Sequence, residues 1–185
     1  MEHNLQRINM VLAQHRLDAL VATLPENIDY ATGFHSLGHW RHPARRVFAV
    51  VKKGQQPTLI ISSGSSDAIF QQESWVTDII TYGTFYATED GTSIDEVSSS
   101  FFNCLKNSQS KKPLELLAEV LSDCQAIGVD EQRFLADDFA QMRGFLPGAV
   151  LSNAYDVWRQ ARTVKSDREI TRIETATSIT VAGIQ

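Results

Sequence analysis

Hydrophobic positions along the chain alternate between helical spacing and short apolar runs. Leu5, Ile8, Val11 and Leu12 fall on one face of a helix. Residues 18–23 (DALVAT) follow as a run that is apolar on both faces, which is typical of a central strand covered on both sides. The same helical spacing predicts three later helix faces: Ile94, Val97, Phe101 and Leu105; Leu114, Leu117 and Leu121; and Leu135, Phe139, Met142 and Leu146.

Short apolar runs between these helices predict the other strands. Residues 47–51 and 58–61 flank a turn that contains Gly54 and Pro57, and this pattern predicts an antiparallel hairpin. Further strands are predicted at 76–82, 126–129 and 149–151. The alternation of strands and helices predicts an α/β layer fold with a mixed sheet, in which one hairpin is antiparallel and the other strand connections are parallel crossovers.

The last segment predicts the beginning of a second unit. Ser166 and Glu169 have the spacing of a helix capping box. An apolar face then continues through Ile170, Ile173, Thr177, Val181 and Ile184. Because an amphipathic helix is stabilised mainly by packing of that face, it needs a partner. We therefore expect one domain over 1–153, a hinge over 154–165, and over 166–185 the first helix of a following domain.

The composition is typical of a folded, water-soluble protein. Hydrophobic residues make up 43% of the 185 residues, and 17 Lys and Arg against 22 Asp and Glu give a net charge of −5. This balance argues against a general nucleic-acid-binding protein. The sequence has no apolar run of membrane-spanning length and no signal-peptide pattern. Cys104 and Cys124 have neither disulfide-framework nor zinc-ribbon spacing, which favours a cytoplasmic protein. Together with the charge and the absence of a long apolar run, we expect no membrane or nucleic-acid partner.

Residues 35–46 (HSLGHWRHPARR) have an unusual chemistry and no regular period, which predicts an irregular loop. They include His35, His39 and His42, but no carboxylate that would complete a catalytic zinc site. Gly38 and Pro43 also disfavour a regular helix there. Surface or interface histidines are the main interpretation, and the alternatives are contact with a substrate in a neighbouring active site and a dedicated metal site.

Basic and aromatic side chains in the same loop could bind an anion. Arg41, Arg45 and Arg46 carry planar guanidinium groups that match a carboxylate, and Trp40 could act as a stacking wall beside them. A solvated basic loop is the alternative.

The rest of the chain contains no nucleophile elbow, P-loop or dinucleotide fingerprint. Turns and helix dipoles explain its acidic pairs, at 89–90, 130–131 and 137–138, better than acid–base catalysis does. The residues alone therefore do not make up a complete active site.

Four stretches, in this order, resemble the patterns of one family. Residues 17–34 (LDALVATLPENIDYATGF) resemble LDALLVT-x-PENI-x-YLTGF, residues 127–131 match IGVDE, and residues 146–149 (LPGA) resemble LPGAE. Residues 156–170 (DVWRQARTVKSDREI) resemble D-x-VWRLR-x-VKS-x-x-EI. Together they are similar to the N-terminal domain of creatinase, prolidase and aminopeptidase P, the pita-bread metallohydrolases.

This resemblance implies a three-layer, ribonuclease H-like α/β domain with a mixed sheet of about six strands and helices on both faces. It also implies a catalytic domain after the hinge, where two Asp, one His and two Glu would bind two divalent metal ions (Mn, Co or Zn). It places no metal ligand or catalytic residue within these 185 residues. In the family, the loop after TGF extends toward the active site of the partner subunit. Here that loop spans 35–46, with Trp40, Arg41, His42 and Arg45 as the candidate substrate-binding residues.

The leading hypothesis is a non-catalytic N-terminal domain of an Xaa-Pro dipeptidase or aminopeptidase, serving dimerisation and substrate gating. Its partners would be its own catalytic domain, a second copy of the chain, and a peptide or small-molecule substrate. One alternative is the same domain of a creatinase-like C–N hydrolase or lyase acting on a small metabolite. Another is a free-standing binding or assembly module without catalysis.

Overall fold

A six-stranded mixed sheet lies at the centre of the fold. The computed structural model describes residues 2–42, 46–88, 95–135 and 137–184. The strands are β1 (Ala19–Ala22), β2 (Phe48–Lys52), β3 (Thr58–Ser62), β4 (Asp78–Tyr82), β5 (Ala126–Val129) and β6 (Val150–Asn153). Their order across the sheet is β4-β3-β2-β1-β5-β6.

Strand β2 runs against the other strands. The predicted hairpin of β2 and β3 is confirmed, and β3–β4, β1–β5 and β5–β6 are parallel pairs. The expectation that the hairpin is the only antiparallel pairing is wrong, because β1 and β2 are also antiparallel. The reason is geometric: β2 lies inside the sheet, and one reversed interior strand has two antiparallel neighbours.

The helices fill the connections between the strands. They are α1 (Glu2–His15), α2 (Pro25–Thr32), α3 (Leu37–Arg41), α4 (Asp67–Phe70), α5 (Glu96–Lys106), α6 (Pro113–Val120), α7 (Asp138–Phe145), α8 (Tyr155–Ala161) and α9 (Asp167–Ile184). The helix faces predicted from spacing lie in helices, except that Ile94 is outside the described residues, Leu121 directly follows α6, and Leu135 and Leu146 flank α7. Among the described residues, the search for a helix long and apolar enough to span a membrane finds none.

Two hydrophobic clusters cover the two faces of the sheet. Leu20 and Ala22 of β1 belong to the cluster that contains α1, α2 and α8, whereas Ala19 and Val21 belong to the cluster of α6 and α7. Successive side chains of a strand point to opposite faces, so this division places helices on both sides. The prediction of an α/β fold with a six-stranded mixed sheet and helices on both faces is confirmed.

Helix α8 packs into the first cluster, although its residues were expected to form a hinge. The Trp158 side chain is fully buried, and its indole Nε1–H donates to the Val21 carbonyl oxygen at 3.2 Å. Ala154, Val157 and Ala161 are buried beside it. The packed core therefore extends to Ala161, and the division of the chain at 153 and 165 stays a prediction.

Helix α9 begins with the predicted capping box. The Ser166 backbone N–H donates to the Glu169 carboxylate at 2.8 Å, and the Glu169 N–H donates to the Ser166 hydroxyl at 3.3 Å. No residue described in this helix is buried. Local hydrogen bonding therefore fixes where α9 starts, while the side chains along the described helix remain accessible to solvent.

Replacing Trp158 by Ala tests how α8 belongs to the core. We expect a loss of about 3–5 kcal/mol in the free energy of unfolding, because the substitution leaves a large cavity. Urea denaturation measures it. Trp40→Ala is the control, since Trp40 is 49% exposed and its loss should cost under about 1 kcal/mol. A loss for Trp158→Ala as small as that of the control would mean that α8 is a hinge outside the core.

Candidate functional site

The candidate site lies at the carboxyl ends of the neighbouring strands β1 and β5. These two strands are parallel neighbours, and the chain leaves them toward opposite sides of the sheet. In open α/β sheets, ligands bind in the crevice at such a switch point. Here Thr23 follows β1 and Asp130 follows β5, and both are buried.

The Asp130 carboxyl group fills this crevice. Its Oδ1 accepts from the Thr23 N–H at 2.6 Å, and its Oδ2 accepts from the Leu24 N–H at 3.0 Å and from the Asn27 side-chain amide at 2.6 Å. The Thr23 hydroxyl contacts both Oδ1 and the Asp130 carbonyl oxygen. Asp130 thereby holds the first residues of α2, where the positive end of the helix favours a negative charge. Asp130 therefore acts as a buried cap for residues 23–27, whereas the sequence pattern predicts only a turn at 130–131.

The segment 35–42 starts from a tight turn. Gly33 ends α2 with φ of +70°, and a Cβ atom there would lie 2.6 Å from the Trp75 ring, so the position requires glycine. The Gln72 side chain then holds His35 from both sides. It accepts from the His35 N–H at 2.8 Å and donates to the His35 carbonyl oxygen at 3.0 Å.

Residues 37–41 form a short helix, so the prediction of an irregular loop is wrong for this part. The Ser36 hydroxyl caps α3 by accepting from the His39 N–H at 3.1 Å, and this cap offsets the low helix propensity of Gly38. His39 points inward and is buried, with Nε2 at 2.6 Å from the Thr23 carbonyl oxygen. Since a carbonyl only accepts, Nε2 carries the proton. The interpretation of His39 as a surface histidine is therefore wrong.

Residue 46, after the undescribed positions 43–45, is fixed by an ion pair. The Arg46 guanidinium donates to the Asp138 carboxylate through two bonds of 2.5 and 2.9 Å, and Asp138 also accepts from the Leu135 N–H. The Tyr82 hydroxyl donates to the Arg46 carbonyl oxygen at 2.6 Å. Asp138 is thus a partner of Arg46, which the helix-dipole interpretation of residues 137–138 missed.

Three of the four candidate binding residues lie at the end of α3. Trp40 is half-exposed, with its ring centroid 6.2 Å from that of His35, and Arg41 and His42 are exposed. Arg45 is outside the described residues. Arg41 forms no ion pair with any residue that the structure describes. The geometry therefore presents an indole, a guanidinium and an imidazole to solvent on a backbone fixed by Gln72 and Thr23.

The histidines of this segment do not converge. His39 points toward the sheet, whereas His35 and His42 are exposed. Within the described ranges, no three His, Cys, Asp or Glu side chains form a group that could bind a metal ion. What the described segment offers is therefore hydrogen bonding, charge and an aromatic surface.

The Asp130 carboxyl predicts an unusual pH dependence. Burial raises its pKa from 3.8 to about 6, against the opposing hydrogen bonds from Asn27 and Thr23. The stability that this shift contributes is fully present below the unfolded pKa and is lost as the pH rises through 6. The full loss in the free energy of unfolding is roughly 3 kcal/mol. We therefore expect the free energy of unfolding of the native chain, minus that of Asp130→Asn, to fall as the pH rises from 4 to 7. Urea unfolding at each pH measures it.

Asp18 provides a control of opposite sign. Hydrogen bonds from the Ala126 and Gln125 N–H groups hold the pKa of Asp18 below its ordinary value. Its contribution is present above the unfolded pKa of 3.8 and is lost as the pH falls below that value, so the Asp18→Asn difference in unfolding free energy should grow with pH when the urea series is extended below pH 4, and should be nearly constant above it. If the Asp130→Asn difference also grew with pH, Asp130 would be an ordinary ionised cap.

The Arg46–Asp138 pair predicts a second effect on stability. Asp138→Asn leaves the largely buried Arg46 charge unbalanced, and should lower the free energy of unfolding by about 3 kcal/mol. The exposed neighbour Asp137 is the matched control, and Asp137→Asn should stay within about 0.5 kcal/mol of the native chain. Equal effects of the two substitutions in urea denaturation would contradict an anchoring role.

Comparisons with known proteins give a consistent picture. The family model described as Creatinase/Prolidase N-terminal domain matches residues 4–164. A proline dipeptidase from Streptococcus pneumoniae is similar in structure, with a TM-score of 0.60 and 19% identity over 87% of this chain and 98% of that one. An Xaa-Pro aminopeptidase (aminopeptidase P) from Streptococcus thermophilus has a TM-score of 0.57 and 21% identity, over 88% of this chain and 98% of that one.

A longer relative shows a similar arrangement. The prolidase from Pyrococcus horikoshii has a TM-score of 0.65 and 14% identity, and the match covers 98% of this chain but 41% of that one. A search of curated proteins gives no significant match. At these identities the solved structures establish the fold, and the family model, which covers most of the chain, establishes the family. This chain belongs to the creatinase/prolidase N-terminal domain family.

Proposed function

We propose that this chain is the non-catalytic N-terminal domain of a metal-dependent hydrolase that acts on Xaa-Pro peptides. In this proposal, the domain contributes dimer contacts and a segment that gates the substrate, while a following domain carries out catalysis. The observation that carries the proposal is the exposure of the apolar face of α9, which lies opposite the face that contacts Glu73.

Two faces of α9 have different partners. Arg168 and Arg172 contact the Glu73 carboxylate, the latter at 3.7 Å. At 100° per residue, these arginines lie on the side of the helix opposite to Ile170 and Val181. Ile170, Ile173, Val181 and Ile184 are 43, 53, 51 and 80% exposed. An apolar face of this length is normally buried, so a further domain on that side fits both the exposure and the alignment with a longer prolidase.

The gating role rests on the end of α3. Trp40, Arg41 and His42 are exposed on a backbone segment that Gln72, Thr23 and Arg133 hold, the last by donating to the His39 carbonyl oxygen. Because the backbone is already held, binding a carboxylate orders only the arginine side chain, and an indole can cover an apolar ring. We propose that these side chains, together with Arg45, contact the substrate at the active site of a partner subunit.

Catalysis belongs to the following domain in this proposal. Two divalent metal ions (Mn, Co or Zn) held there would activate a water molecule for attack on the scissile carbonyl. No residue of this chain is assigned as a ligand or as a catalytic group. A cytoplasmic location is also part of the proposal, and the two free thiols of Cys104 and Cys124 support it.

The experiment uses the full coding sequence that contains this chain. The purified protein is assayed with Xaa-Pro dipeptides, with creatine and with non-proline dipeptides in the presence of Mn²⁺, Co²⁺ or Zn²⁺. We expect Xaa-Pro hydrolysis by a dimer. Hydrolysis of creatine alone would favour the creatinase-like alternative, and a coding sequence that stops at Gln185 would favour the free-standing module.

Substitutions at the four candidate binding residues test gating within the same protein. Arg41→Ala and Arg45→Ala should each lower kcat/KM by an amount equivalent to about 1–3 kcal/mol, the cost of leaving a charged partner unpaired. Trp40→Ala and His42→Ala should lower kcat/KM through the loss of their own contacts with the substrate. Lys53→Ala is the control, because Lys53 is exposed in the turn between β2 and β3, at the opposite end of β2 from residue 46. Unchanged kinetics in all four alanine variants would end the gating proposal.

A further inference from the structure

A cavity of about 650 Å³ lies between α1, α2 and the start of α9, away from α3. Glu26, Asp29 and Tyr30 of α2 line one part of it, and Trp75 and Arg162 line another. Cavities that bind small molecules are typically about 300–1,000 Å³ in volume. The size therefore suits a ligand of low molecular weight.

Charges of both signs line this cavity without pairing. Glu26 and Asp29 are three residues apart and therefore share one face of α2. Arg162 follows the end of α8, and its Nε atom is buried and has no hydrogen-bond partner in the part of the chain that the structure describes. Over the same ranges, none of these three side chains takes part in an ion pair. The two carboxylates and the guanidinium thus remain available to a ligand.

Most of the other charged groups at the cavity already have partners. Glu169 accepts from Ser166, Arg168 and Arg172 contact Glu73, and Lys165 donates to the Arg162 carbonyl oxygen. Lys165 and Asp167 also line the cavity and form no ion pair in the described ranges, whereas Arg162 and His3 each have a buried nitrogen without a hydrogen-bond partner there.

Two aromatic side chains give the cavity a fixed wall. The Trp75 indole Nε1–H donates to the Ala31 carbonyl oxygen at 2.9 Å, and the Tyr30 hydroxyl donates to the Ala161 carbonyl oxygen at 2.9 Å. Burial raises the pKa of Tyr30 to about 12, so its phenol stays neutral and this bond persists. Both polar atoms are occupied, and Tyr30 is buried in the first hydrophobic cluster, so the partly exposed Trp75 ring is the surface that can pack against an apolar group or an ammonium.

We propose that this cavity binds a small zwitterion of the amino-acid or dipeptide class. Its ammonium group pairs with Glu26 and Asp29, its carboxylate pairs with Arg162, and its side chain packs on Trp75. A cation alone would leave Arg162 unpaired, and an anion alone would leave both carboxylates unpaired. Only a molecule that carries both charges pairs with Arg162 and with both carboxylates at once, because these three side chains form no ion pair within the described ranges.

The test is a titration of the ¹⁵N-labelled 185-residue chain, followed by NMR through the Trp75 indole N–H. L-Leucine and L-alanyl-L-proline are the probes. N-acetyl-L-leucine and L-leucinamide each lack one of the two charges. We expect saturable shifts with the probes and at least about tenfold weaker binding of both single-charge analogues. This readout is binding by the isolated chain, so it is independent of any hydrolase activity.

Variants locate the site. Arg162→Gln and the double variant Glu26→Gln/Asp29→Asn should each weaken binding at least about tenfold. Arg159→Gln is the matched control on α8, since Arg159 already pairs with Asp156 and does not line the cavity; its binding should be unchanged. The proposal is overturned by no saturable shift up to about 20 mM probe, a weak limit for any specific site. Equal affinity of the single-charge analogues for the native chain, or undiminished binding by folded Arg162→Gln, would also overturn it.

Discussion

The hydrogen bonds of the buried Asp130 carboxyl group are the interaction on which the rest of the structure depends. This carboxyl joins the end of β5 to the first residues of α2, across the point where the chain leaves the sheet in two directions. The neighbouring Thr23 carbonyl oxygen also receives the His39 ring, so the same junction fixes α3. The crevice that binds ligands in many α/β proteins is here filled by the protein's own side chains. A binding role therefore falls to the surfaces around this junction.

The end of α3 and helix α9 differ in how firmly the rest of the fold holds them. The end of α3 stands on a backbone that is hydrogen-bonded at both His35 and His39, so its side chains can meet a partner with little loss of entropy. Helix α9, in contrast, contacts the domain through exposed Glu73 ion pairs, which contribute little stability in water. None of its described residues is buried, so the packing of its apolar face depends on whatever covers that face. A fixed α3 segment and an exposed connecting helix are together what the proposed role beside a following catalytic domain requires.

The pattern of the sequence predicts most of the fold. Period and length identify the strands and long helices, because β1, buried on both faces, and the amphipathic helices each leave a local signature. The pairing of β1 with β2 has no local signature, since it depends on where the hairpin inserts into the sheet. Helix α8 is short, and the depth of Trp158 follows from packing against β1, which periodicity does not report.

The site is less predictable than the fold. The composition of 35–46 directs attention to this segment, whose binding role stays a prediction, but it does not distinguish the inward His39 from the outward Trp40. That difference follows from the Ser36 cap and from the Thr23 carbonyl oxygen, sixteen residues away from His39. Asp130 and Asp138 look like turn residues locally, and only the tertiary structure brings their partners to them. A polar residue directly after each of two buried strands, Thr23 and Asp130, is the signal that could have indicated the junction.

Hydrogen exchange of single backbone amides tests the central role of Asp130 most directly. If the Asp130 junction holds the fold together, the Thr23 and Leu24 amides exchange only through global unfolding, and their exchange free energy equals the unfolding free energy from urea. The amides of α9 should exchange through local opening at far lower free energy. Exchange of Thr23 and Leu24 as readily as the α9 amides would contradict the account, because the junction would then open while the rest of the fold stays closed.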